Sequence, residues 1–297
     1  MNDNKLATSH TISTEKGQAM PCDIHDAIFN FAFGAALNDA TMQKAFLPVR
    51  TENDEPGNGE PKKNAKKAIA DASKEMIGYF IDKLLGNELL SPPIGDDETW
   101  TGERQTEYDY KFQICANEVA NCIPQEFKPR DREKEGGRSE DGKTGQFTFG
   151  NIQKLINMTL KYMFTICYTN DSMRKRFMYC HCPMDSIMMR KVDDIFNNME
   201  HRFWKLVGTD EKTKAKAEDS YIQAKEMLWG ESTGKKRIFN DVSWSQIGFK
   251  EGVSLEENDP DEFYEIFQAL VRTLSQINGI SPIEFDYLYW QSEESAK

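Results

Sequence analysis

The chain lacks an apolar run long enough to cross a bilayer. Its most apolar early stretch, Ile28 to Leu37, is short and holds Asn30, whereas a spanning helix needs about 20 apolar residues. The opening residues, MNDNKLATSHTISTEKGQ, contain no apolar core of a secretory signal. No membrane association is expected, and the expected location is cytoplasmic. Cysteine is sparse, with Cys22, Cys115, Cys122, Cys167, Cys180 and Cys182 spread over 297 residues. Without an export signal these read as reduced thiols, which excludes a disulfide scaffold. Neither a fixed-period repeat nor a convincing set of strands is present. Cationic residues are also short: 37 Lys and Arg face 49 Asp and Glu, a formal net charge of −12. A polyanion would meet a repulsive average field, so nucleic acid and anionic lipid are disfavoured, and a basic protein surface is the favoured partner.

What is present is helical periodicity, and the expected class is mainly α. Residues 1–20 read as a disordered tail and 21–123 as an N-terminal helical region. A charged loop or linker follows over 124–146, and 147–297 form a C-terminal helical domain. Asp23 is the expected cap of a helix running to Leu47 and ended by Pro48. Apolar residues at helical spacing predict further helices over about 65–85, with Gly86-Asn87 as the stop, and over 106–123. Arg50 to Asn64 reads as a loop from its Pro, Gly and charge content. Ile152 to Phe164 is apolar nearly all round, which predicts a helix central to the core. Arg174 to Arg176 mark an exposed connector. Pro183 suits the first turn of a helix carrying Ile187 to Leu206 inward and closed by Gly208. Helices over 210–229 and 261–277, a cap-and-anchor turn at Ser243-Trp244-Ser245, and a last helix opened by Ser281-Pro282 complete the reading.

Charge is unevenly distributed. Between Thr148 and Gly208 nine basic residues outnumber five acidic ones, a surplus of four. From Lys250 to Lys297 three basic residues face eleven acidic ones, a deficit of eight. Complementarity between neighbouring helices accounts for this pattern without an external ligand.

Cys180-His181-Cys182 carries residue types that bind zinc. Structural zinc sites space paired cysteines two to four apart, and a Cys-x-Cys pair on extended chain points its sulfurs to opposite faces. Buried apolar cysteines with a capping histidine are the expectation, and no metal or other cofactor is expected. Phe203-Trp204 beside Arg202 and Lys205 could stack bases, although their spacing to Met199 and Leu206 reads as core packing. The thirteen methionines suit an adaptable surface or an ordinary soft core equally.

The sharpest pattern runs from Phe149-Gly150-Asn151-Ile152-Gln153-Lys154 to Pro183-Met184-Asp185-Ser186. It resembles the core of the helix-hairpin-helix DNA glycosylases, in which a hairpin glycine precedes a lysine-bearing helix and a Pro-x-Asp turn opens the next. The resemblance implies Lys154 as nucleophile and Asp185 as catalytic carboxylate, since an amine attacks only when a carboxylate orients and deprotonates it. It further implies Gly150 as the hairpin glycine, with Arg174, Lys175 and Arg176 on DNA. Ile152 stands where the family has its second glycine, the gap from Lys154 to Asp185 is about a dozen residues longer, and no iron–sulfur cysteine cluster follows. Without catalysis, Lys154 would lie on the wet edge of a core helix and Asp185 would cap the next one.

A broader resemblance rests on Gln153-Lys154, Asn157-Met158-Thr159, Lys161-Tyr162, Cys180-His181, Pro183, Asp185-Ser186, Trp244-Ser245 and Pro282 to Trp290. Together these are similar to a family of uncharacterised proteins from Gram-positive bacteria and their phages. Small phage proteins of this kind include counter-defence factors that bind a host nuclease complex such as Gabija. The expected function is thus a non-enzymatic, acidic inhibitor that blocks a basic, nucleic-acid-binding protein inside a bacterial host cell. A glycosylase-like enzyme using Lys154 and Asp185 is the alternative.

Overall fold

Twelve consecutive residues, Phe149 to Leu160, are buried, and several of the other described helices pack against them. The computed structural model describes residues 24–39, 61–95, 99–124, 147–197, 210–229, 237–239, 242–247 and 262–294. Among these are nine α-helices and no strand: α1 (Ile24–Asn38), α2 (Pro61–Leu85), α3 (Gly102–Cys122), α4 (Phe149–Cys167), α5 (Asp171–Arg176), α6 (Ser186–Asn197), α7 (Glu211–Trp229), α8 (Glu262–Asn278) and α9 (Pro282–Glu294). A short 3-10 turn spans Trp244–Gln246. Among the described residues no helix is long and apolar enough to cross a membrane.

Helix α4 is the expected central helix. It is covered by α1, α3, α9 and the 3-10 turn, while α2 packs on α3, and α8 packs on both α7 and α9. Buried apolar side chains from Ala32 in α1 to Phe285 in α9 form one continuous cluster. It crosses the sequence boundary at 124–146, whose residues 125–146 lie outside the described ones, as does the 1–20 tail.

Helix ends follow local capping chemistry. Thr101 and Thr148 accept bonds from the Arg104 and Asn151 amides, so α3 starts at Gly102 rather than Thr106. Helix α2 starts at Pro61, within the stretch expected to be loop, because proline suits a first helical position. Its stop uses Asn87, which takes the left-handed conformation (φ 59°), while the Glu88 amide reaches the Lys83 carbonyl. Gly279 (φ 66°) ends α8 in the same way, with the Ile280 amide on the Ser275 carbonyl. Ser281 and Glu284 exchange bonds in a capping box that opens α9.

Three expectations change. Arg174 to Arg176 belong to the half-buried helix α5, capped by Asn170, and are not an exposed connector. Pro183 lies in irregular chain, and α6 begins at Ser186 because Asp185 is its cap, its Oδ1 accepting the Ile187 and Met188 amides at 2.9 Å. Helix α1 ends at Asn38, with Asp39 already outside it, rather than running to Leu47; 40–47 and Pro48 lie outside the described residues, as do Met199, Phe203, Trp204, Leu206 and Gly208.

The anchor half of the 243–245 expectation holds, although Ser243 makes no side-chain cap. The Gly150 amide donates to the Ile247 carbonyl at 2.9 Å, and the Thr148 hydroxyl to the Ser245 carbonyl at 2.9 Å. A Cβ on Gly150 would sit 1.8 Å from the Trp244 carbonyl oxygen. Close backbone approach therefore requires glycine here. Gly150→Ala is expected to destabilise the fold by about 3 kcal/mol. Urea denaturation checks this, and a loss below about 1 kcal/mol would show that the turn does not press on α4.

Candidate functional site

The two residues that sequence pattern nominated for chemistry do meet. Lys154 Nζ lies 3.1 Å from Asp185 Oδ2. The lysine is not on a wet edge, however: it is 1% exposed. Asp39 at the end of α1 lies 3.6 Å from the same nitrogen, and the Trp244 ring centroid 4.8 Å from it. The ammonium therefore faces two carboxylates and an aromatic face, the set a desolvated cation needs. Asp185 is doubly employed, with Oδ1 capping α6 and Oδ2 on the lysine.

Two turns further along α4, Lys161 pairs with Asp286 of α9 at 2.6 Å. Burial raises the Asp286 carboxyl to about 6, against the pull of Lys161 and with a further push from Asp185. Burial works to lower Lys161, but Asp286 overrides it and holds the ammonium above its ordinary value. Arg174 of α5 lies 3.8 Å from Glu284 of α9 and 3.5 Å from Asp171. Cations of the basic middle segment thus meet carboxylates of the acidic C-terminal part. Gly150, the proposed DNA contact, has its amide committed to Ile247 and its face against Trp244. Lys175 and Arg176 are half-buried on α5.

Cys180, His181 and Cys182 are buried. Burial raises both thiols, Cys180 to about 12, which disfavours the thiolate. Among the described residues no three His, Cys, Asp or Glu are grouped to hold a metal ion. His181 bonds two side chains rather than a helix end. Its Nε2 is 2.7 Å from Asp109 Oδ1 and its Nδ1 2.7 Å from the Tyr264 hydroxyl. With Asp109 as an acceptor, Nε2 carries the proton and Nδ1 accepts from Tyr264. Burial lowers the His181 pKa against the opposing pull of Asp109, which favours this neutral form. Asp109 also accepts from Gln105 at 2.7 Å and meets Arg272 at 3.3 Å. Burial works to raise its carboxyl, but His181 and Arg272 hold it below its ordinary value.

Behind Tyr264 the chain of bonds continues. Asn157 donates to the tyrosine oxygen at 3.2 Å and to Gln153 at 3.1 Å, and Gln153 brackets the Met184 backbone. In front of it opens a cleft of about 720 Å³ between α3, α7 and α8. Asp109, His181, Tyr264, Glu265 and Arg272 line it with Tyr110, Phe112 and Met227. Sequence reasoning missed Asp109, Tyr264 and Arg272. The one available signal was a histidine inside a buried apolar run, which must find polar partners for both ring nitrogens.

The raised Asp286 carboxyl has a consequence with a definite sign. Between its unfolded value of 3.8 and its folded value of about 6, the native state holds the proton more tightly than the unfolded chain. Its contribution is therefore greatest at low pH and falls as pH rises through that window. Asp286→Asn should gain about 2 kcal/mol on wild type between pH 4 and pH 7. Paired urea titrations check it, and a difference independent of pH would contradict it. Neither a protein-family model nor a curated protein nor a solved structure matches this chain.

Proposed function

We propose that this protein is a non-enzymatic, acidic binding protein that occludes a basic surface on another protein, as a phage or prophage counter-defence factor blocking a nucleic-acid-binding host complex would. One observation carries the reading. Two of the nine cations that make the middle of the sequence look basic are turned inward, Lys154 onto Asp39 and Asp185 and Lys161 onto Asp286. These two lysines are paired with three aspartates, so they attract nothing from solvent and leave the acidic surplus of the chain, a formal −12, almost unchanged. A chain of that charge repels nucleic acid and draws a protein rich in lysine and arginine.

The glycosylase alternative draws support from the 3.1 Å Lys154–Asp185 contact alone. A nucleophile must reach a sugar carbon, and a side chain 1% exposed, with carboxylates on two sides, meets no substrate as it stands. Borohydride reduction in the presence of abasic-site DNA is expected to trap no covalent complex. Trapping that vanishes in Lys154→Ala would establish the alternative instead.

The binding reading is tested by capture from a bacterial lysate with the full chain as bait. A stoichiometric partner of basic isoelectric point, released as salt rises from about 0.05 to 0.5 M, is the expected result. Capture of nucleic acid alone, or of no basic protein, overturns the reading.

A further inference from the structure

The contact between Lys154 and Asp185 holds more chemistry than an ion pair uses. Nζ lies 3.1 Å from Oδ2, which sets the nitrogen beside the carboxyl carbon that carries that oxygen. The other oxygen, Oδ1, accepts the Ile187 and Met188 amides, both at 2.9 Å. Two backbone donors converging on one carboxyl oxygen polarise the carbon and hold the negative charge that a tetrahedral adduct places there. A helix cap needs those two bonds and no lysine on the second oxygen.

A third group completes the set. Asp39 Oδ1 is 3.6 Å from the same nitrogen, and its side chain is 21% exposed, so it touches both the reacting amine and solvent. The Trp244 ring, 4.8 Å from the nitrogen, closes another side. Lys154 itself is 1% exposed. Two ions are costly in so dry a site, and a neutral product relieves that cost.

We infer that Lys154 and Asp185 join in an intramolecular amide, with Asp39 as the proton carrier. The nitrogen attacks Cγ of Asp185; the N–C bond forms and the Cγ–Oδ2 bond breaks. Oδ2 leaves as water, taking the two protons that the ammonium gives up, which Asp39 passes from nitrogen to oxygen. Nothing is oxidised or reduced, and no co-reactant is consumed. Oδ1 becomes the amide carbonyl and still caps α6. In water the hydration of the two ions opposes this condensation. Fixed contact opposes that penalty with an effective concentration of about 10⁵–10⁸ M, and burial removes the hydration. The bond ties α4 to the start of α6 across 31 residues of sequence. One positive and one negative charge vanish together, so the net charge on which the binding reading rests is unchanged.

The full chain is denatured, its thiols are reduced and its intact mass is measured. It is expected to be lighter than its sequence by one water. Tryptic digestion should give a branched peptide, residues 144–161 joined to 177–190 and uncut after Lys154. Lys154→Arg should show its full sequence mass and linear peptides only. Asp39→Asn should form the bond about a hundredfold more slowly, read by mass after a short pulse of expression, with circular dichroism confirming that its helices are kept. A folded parent chain that retains its full sequence mass overturns the inference whatever the variants do. Loss of water with linear peptides only, as a cyclic imide at Asp185-Ser186 would give, overturns it as well, and so does a branch at any other pair. A parental rate in Asp39→Asn overturns the proton route.

Discussion

A lysine ammonium buried within the central helix must be neutralised where it stands, and that requirement positions three other segments. Lys154 projects from α4 into a region shared by the end of α1, the start of α6 and the 3-10 turn. An unpaired charge there would cost several kcal/mol, roughly 3–5 when one partner of a buried pair is removed. Asp39, Asp185 and Trp244 therefore cannot drift independently. Asp185 also has to cap α6, so the register at which α6 begins is tied to the register of α4. Seven residues along the same helix, Lys161 ties α9 in the same manner through Asp286. Replacing such pairs with apolar groups is often neutral in free energy. Their effect here is on arrangement, since each admits only one way of laying a neighbouring helix on α4.

A second chain of contacts reaches the same turn from the opposite side. It runs from Asp109 through His181, Tyr264, Asn157 and Gln153 to the backbone of Met184, which precedes Asp185. Buried polar groups in a low-dielectric interior are costly when half-satisfied and rigid when satisfied. The cleft's carboxylate is consequently braced against the same short segment, 180–185, that delivers Asp185 to the lysine. The irregular segment between α5 and α6 becomes a shared support. Its cysteines fill space, its histidine and aspartate serve two different networks, and Gln268 clamps its Cys182 backbone from α8.

Much of this architecture was legible in sequence because helix periodicity and capping are local. The existence of α1, α2, α3, α4, α7, α8 and α9, the Ser281-Pro282 start and the Asn87 stop follow from residue types within a few positions of one another. Long-range constraints were legible only in part. The pairing of Lys154 with Asp185 was visible as a pattern, but the burial of the lysine was not, because its partner Asp39 is more than a hundred residues upstream. Gly150 illustrates the opposite error. Its type suggested an approach to phosphate, whereas the backbone that approaches is the chain's own, at Trp244. Asp109 and Tyr264 were hidden in helices whose neighbours read as ordinary core, and only their distance to His181 distinguishes them.

The inward lysines also bear on how charge in a sequence window relates to binding. The surplus of four between Thr148 and Gly208 suggests a cationic face when summed along the chain. Yet a charge acts on a partner only through solvent, over a Debye length of about 8 Å at physiological ionic strength, and only if nearer ions have not cancelled it. Lys154 and Lys161 fail both conditions, being enclosed and paired. Arg174 is shared between Asp171 and Glu284. The carboxylates they engage are fewer than the acid residues of the whole chain, so the outward field keeps the negative sign of the total. A locally basic segment can therefore leave the acidic sign of a protein's exterior unchanged, where its cations are paired with carboxylates inside the fold.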